Sequence, residues 1–149
     1  MPARLEAGTP NVAAAVGLAA AFEYLEKLGW ENVRQHNDTL VRTAVDLLAE
    51  LPAVRVLGDP VAEPAGIVSL TVPGIHPYDV GGHLGKFGIA VRSGVQCANT
   101  FVDALGLVGT VRLSFAVYNN EDEVRLVRQA LESVQPDVWT REHPTERFL

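Results

Sequence analysis

The stretch TVRLSFAVYN, Thr110 to Asn119, decides how the chain is read. Val111, Leu113 and Phe115 alternate with Arg112, Ser114 and Ala116, the period of a strand with one buried and one polar face. A final helix follows from about Asn120 to Val134, with Glu121, Asp122 and Glu123 in the first turn, where the helix macrodipole favours acidic groups. Before the strand, TFVDALGL supplies one or two helical turns ahead of Gly109, and Gly94 to Asn99 is a loop. Ahead of that loop, IAVRS reads as a strand. GIHPYDVGGHLGKFG reads as a helix, with Pro77 near its first position and Gly88 at its close.

Further out, IVSLTV is a short β-branched run typical of a buried strand, and VRVL is a shorter one, the two separated by the Gly/Pro loop GDPVAEPAG. The opening MPARLEAGTPN is extended up to Asn11, a good N-cap, and an Ala-rich helix follows to about Leu28, where Gly29 ends it. From about Glu31 to Leu51 apolar residues recur three and four apart, so a second long helix packs on the first as a hairpin. The order α-α-β-β-α-β-β-α gives an α+β class. A small sheet of about four strands is covered on one face by helices and preceded by a long helical hairpin. This domain spans residues 1–134, and 135–149 form an irregular tail whose Trp139 and Phe148 offer docking groups.

Composition narrows the functions. The 149 residues are 48% hydrophobic, enough for one ordinary core without disulfides or metal, and the net charge of -6 is scattered. Nucleic acid and anionic membrane would each favour a basic patch, so neither is expected as a partner. No apolar run approaches a membrane span and no signal peptide is read at the N-terminus, so a reducing, cytoplasmic setting is expected. One cysteine forms no internal disulfide, and four dispersed histidines make no zinc cluster, so no metal is expected.

Two kinds of residue remain as candidates for chemistry. Cys97 sits in IAVRSGVQCANT, a stretch without the apolar periodicity of a buried element, between two strands where scaffolds present functional groups. Free cysteine is also a common small core residue, so both readings start open. Arg92, five residues earlier, favours thiolate over thiol and tilts the balance toward a nucleophile. Arg112 stands on the polar face of its strand and can fork onto a carboxylate, or it can form an ordinary surface ion pair. His36, His76, His83 and His143 read as solvated or structural. No nucleophile elbow, phosphate-binding P-loop or dinucleotide fingerprint occurs.

Taken together, EAGTPN (6–11), HPYDVGGHLGKFGIAVRSGVQCAN and VRLSFAVYNNEDEV resemble the C-terminal part of SufS-like cysteine desulfurases, of the class V aminotransferase-type pyridoxal phosphate enzymes. The resemblance runs to about Val134. Its pattern G-I-x-V-R-x-G-x-x-C-A, then R-x-S-x-x-x-Y-N, is met by Gly88, Ile89, Val91, Arg92, Gly94, Cys97, Ala98, Arg112, Ser114, Tyr118 and Asn119.

The resemblance implies that Cys97 is the nucleophile that takes sulfur from L-cysteine as a persulfide, with release of alanine. It implies that Arg112 clamps the substrate carboxylate and that Arg92 assists beside the cysteine loop. Gly8 and Thr9 match a pair that, in family dimers, reaches the cofactor phosphate of the neighbouring subunit. Two departures accompany it. Gln96 stands where relatives often have histidine, and glutamine cannot shuttle a proton. The family's large domain, with its Schiff-base lysine, is not matched; Lys27 and Lys86 lie outside any such motif.

The expectation is therefore half of a desulfurase. Pyridoxal phosphate belongs to the complete enzyme and is not held covalently by this chain alone. The implied partners are a large cofactor-binding domain or chain, a homo-oligomeric or heteromeric mate, and a sulfur-acceptor protein of the kind that serves iron-sulfur cluster assembly. A non-catalytic dimerisation or persulfide-carrier module, and a selenocysteine lyase or related C-S lyase half, are the alternatives.

Overall fold

The computed structural model describes residues 4–5, 7–59, 61–62 and 65–134. The chain divides into two compact units, Met1–Gln35 and His36–Leu149. In the first, α1 (Val12–Leu28) starts where Asn11 predicts, its Oδ1 accepting the Ala14 N–H at 3.0 Å. It ends at Gly29, whose N–H reaches back to the Leu25 and Glu26 carbonyls. α2 (Trp30–Ala49) begins one residue later and runs into the second unit. The two expected helices are present, and no residue of α1 is buried. Its apolar residues are spread around an Ala-rich cylinder, so it lacks a single stripe that a neighbour could cover.

The second unit is built on one antiparallel sheet, in the order β1 (Arg55–Val56), β2 (Ile67–Thr71), β4 (Thr110–Ser114), β3 (Arg92–Gly94). Register pairs Val68 with Leu113 and Leu70 with Val111, so these four buried side chains share one face. Three helices cover that face. α2 contributes Leu40, Ala44 and Leu48, spaced by four, together with Val41. α3 (Pro77–Lys86) adds Val80 and Leu84, and α5 (Glu121–Glu132) adds Val124, Val127, Ala130 and Leu131, while the short α4 (Asn99–Ala104) joins β3 to β4. The α+β class and the four-stranded sheet are as expected.

One strand is displaced from its expected place. IAVRS was expected to pair from Ile89, but the ladder covers only Arg92–Gly94. Gly94, which the sequence assigns to the loop, is buried at φ +101° against the Tyr78 ring, which leaves no room for a Cβ. The tail 135–149, with Trp139, His143 and Phe148, lies outside the described residues.

Local chemistry fixes the helix ends. His76 caps α3, with its Nδ1 accepting the Tyr78 N–H at 3.2 Å, and Pro77 occupies the first turn. Asn120 and Glu123 form a capping box on α5. Glu123 also accepts from Asn119 Nδ2 at 3.0 Å. That hydrogen bond first, and the Asn120 N–H second, hold its carboxyl below the usual glutamate range. His36 Nε2 donates to the Asn119 carbonyl at 3.0 Å, and Asn119 Oδ1 accepts the Ala116 N–H at 2.9 Å. Asn119 thus ties α2, the end of β4 and α5 together.

α3 lies tight on β3. A Cβ at Gly81 would meet Ser93 Oγ, with Ser93 Cβ only 3.2 Å away, whereas at Gly82 it would meet nothing within 4 Å. Gly82→Ala should therefore gain up to about 1 kcal/mol of helix propensity. Gly81→Ala should forfeit that gain to overpacking of about 1–3 kcal/mol. Urea unfolding of the pair checks this, and equal stability would show that α3 can move off β3.

The lowered Glu123 carboxyl has a pH signature with a definite sign. Its contribution is complete above the ordinary glutamate pKa of about 4.3 and is lost as pH falls through the lower folded value. Glu123→Gln should flatten the acid limb of a stability-against-pH curve relative to the parent chain.

Candidate active site

The face of the sheet opposite the helical core is polar, and its side chains follow from the same register. Ser69 stands opposite Arg112, and Arg112 opposite Arg92, so three neighbouring strands place these residues in one row. Two guanidiniums on facing positions repel. Yet neither has a carboxylate partner among the described residues, and Arg112 Nε is buried without any hydrogen-bond partner. A buried donor left unpaired costs about 1–3 kcal/mol, so this arrangement suits an anion that the two arginines would share.

Cys97 belongs to the same face. It lies in a turn from Val95 to Ala98, closed by the Ala98 N–H to the Val95 carbonyl at 3.0 Å. Both central residues have positive φ, Gln96 at 58° and Cys97 at 61°. Such turns normally carry Asn-Gly, because each left-handed L-residue costs about 1–2 kcal/mol. The side chain of Cys97 is exposed, and Arg92 Nη2 lies 3.6 Å from its Sγ. Gln96 turns inward instead: its Nε2 donates to Thr110 Oγ1 at 2.9 Å and to the Arg92 carbonyl at 3.2 Å.

The structure therefore brings together Cys97, Arg92 and Arg112. Gly8 and Thr9 lie in the first unit, both exposed, with Gly8 at φ +89°. Of the motif residues, Ser114 extends the polar face, Tyr118 is exposed, and Asn119 acts as the structural tie described above. His83, like His36, is engaged with backbone: its Nε2 donates to the Ala130 carbonyl at 3.1 Å. No cluster of metal-ligating residues occurs among the described residues. The inward turn of Gln96 had no signal in the sequence, since its partner Thr110 is fourteen residues away.

The donor set around Cys97 tests what could bind. Two guanidiniums and a thiol suit a small carboxylate-bearing thiol. Lys86 ends α3, on the core side of the sheet, and Lys27 ends α1 in the first unit. With no amine in the row that carries Arg92 and Arg112, these residues do not by themselves hold a pyridoxal aldehyde.

Comparison with known proteins gives a consistent picture. The family described as Aminotransferase class-V matches residues 1–127. The chain is 36% identical over 135 residues to the cysteine desulfurase of Haloferax volcanii, covering 91% of this chain and 32% of that protein. It is 42% identical over 135 residues to a probable cysteine desulfurase of Streptomyces coelicolor, covering 90% and 32%. Among solved structures, the apo cysteine desulfurase of Thermococcus onnurineus NA1 superposes with a TM-score of 0.82 at 42% identity, over 89% of this chain and 33% of that one. The cysteine desulfurase CsdA of Escherichia coli, in an S-sulfonic acid form, gives 0.78 at 34% identity, over 86% and 31%. The chain thus spans about a third of the length of the relatives it matches.

Exposure of Cys97 has a direct check. In the native chain it should react with iodoacetamide within about tenfold of a free thiol at the same pH, read by mass spectrometry. Protection by about a hundredfold or more would place the sulfur in the interior.

Proposed function

The chain belongs to the class-V aminotransferase family, and on that premise we propose that it is the C-terminal, substrate-facing part of a SufS-like cysteine desulfurase. One observation carries the reading: an exposed thiol and two arginines without acidic partners among the described residues converge on one sheet face, and Arg112 keeps a buried donor unused. Arg112 grips the carboxylate of L-cysteine, a charge-assisted fork that fixes which way the substrate lies. Arg92 bridges the carboxylate side of the site and the thiol.

Cys97 Sγ then takes the sulfur. An S–S bond forms as the substrate C–S bond breaks, leaving a persulfide on Cys97, and the β-carbon collects a proton to leave as alanine. Pyridoxal phosphate, when bound, supplies an electron sink for this cleavage. A large cofactor-binding domain or chain would hold it, and Gly8 and Thr9 would offer hydroxyl and backbone contacts to the cofactor phosphate of the neighbouring subunit. Gln96 has no titratable group, so the proton is handled elsewhere in the complete site. A cytoplasmic setting, a second subunit and a sulfur-acceptor protein complete the proposal, and selenocysteine in place of cysteine is the substrate alternative.

The test is alanine release from L-cysteine by the complete, cofactor-loaded enzyme. Cys97→Ala should abolish turnover while leaving cysteine binding intact. Arg112→Ala should lower kcat/KM by roughly 10–100-fold, the scale of one lost charge-assisted hydrogen bond of about 1.5–3 kcal/mol. Alanine release that survives Cys97→Ala would remove the cysteine from the mechanism. Persulfide accepted on Cys97 without any alanine release would favour the carrier reading.

A further inference from the structure

We infer that Gln96 is a positioning residue, an amide latch that holds Cys97 in its left-handed turn and beside Arg92. The functional consequence rests on the desulfurase reading, whereas the latch itself stands on geometry alone.

The turn cannot be held by its own preferences. Two consecutive L-residues at φ 58° and 61° occupy a conformation that Gly and Asn adopt far more readily, and neither Gln nor Cys stabilises it locally. Packing does not fill the space beside it either. A cavity of about 400 Å³ adjoins the turn, lined by Val95, Gln96 and Ala98 on one side and by Phe101, Val102 and Leu105 on the other. What ties the turn to the sheet is the Gln96 amide. Its two N–H groups serve three acceptors: Thr110 Oγ1 at 2.9 Å, the Arg92 carbonyl at 3.2 Å and the Thr110 carbonyl at 3.5 Å.

Those anchors are well chosen mechanically. Thr110 is buried on β4 and faces Gly94 across the ladder, so it is part of the rigid sheet. Arg92 is the residue whose guanidinium reaches Cys97 Sγ. The same side chain therefore fixes the turn relative to the strand that carries its cation. The chemistry is specific to an amide. Glutamate has the same shape but would turn an oxygen toward carbonyl oxygens, and asparagine is one carbon too short to reach from the same turn.

Two readouts test the latch. Backbone order from nitrogen-15 relaxation of the 149-residue chain should show residues 95–98 in the rigid range near 0.85, falling below about 0.6 in Gln96→Glu and Gln96→Ala. Gln96→Gly should loosen the turn as well, even though glycine accepts its φ, because the amide is gone. Thr110→Val, which keeps strand propensity, should loosen it less.

In the complete enzyme, Gln96→Glu should lower kcat at least tenfold with KM for cysteine within twofold, because Arg112 is untouched. Order parameters unchanged in Gln96→Glu would overturn the latch, and so would unchanged kcat. If the parent enzyme releases no alanine from cysteine, the desulfurase reading fails, and the relaxation measurement alone then decides the latch.

Discussion

The register of β4 between β2 and β3 governs this molecule. With Val111 and Leu113 opposite Leu70 and Val68, every alternate residue of the central strand meets the helical core, and Arg112 is left on the other side between Ser69 and Arg92. A slip of β4 by one residue would drive the guanidinium into the core and expose Val111 and Leu113, so the hydrophobic pattern enforces the position of the arginines. The core and the site are two faces of one constraint. The glycine-tight seat of α3 on β3 and the Asn119 tie between α2 and α5 keep that sheet from shifting.

Much of this was legible because it is local. The alternation in TVRLS, the acidic first turn of α5, the cap at Asn11 and the proline of α3 are each decided by neighbours in sequence, and each element lies where its signals put it. Motif register is equally readable, since it needs only spacing, and it singles out Cys97, Arg92 and Arg112, which lie on one sheet face. What escaped was nonlocal. The pairing of β3 is set by Gly94 meeting Tyr78 and Gly109, and the inward turn of Gln96 by an acceptor on another strand. The exposure of α1 was not legible for a different reason: an Ala-rich helix satisfies helical propensity without defining which side is to be covered.

Gln96 departs from the family pattern, and its surroundings give the departure a physical content. As sequence it is a lost proton shuttle. In the structure it is a gained tether, because an amide can offer two hydrogens to carbonyl and hydroxyl acceptors at once. The same residue thus lacks a titratable group and gains three acceptors within reach of its amide.

The unmatched pair of guanidiniums bears on how charge is felt at long and short range. The chain carries a formal -6, so its far field repels anions, yet Arg92 and Arg112 make the sheet face around Cys97 locally electropositive. A carboxylate would feel the first field at a distance and the second only over the last few ångströms, within a Debye length of the two guanidiniums. The overall sign of an acidic protein thus says nothing about the sign of the field at one of its faces.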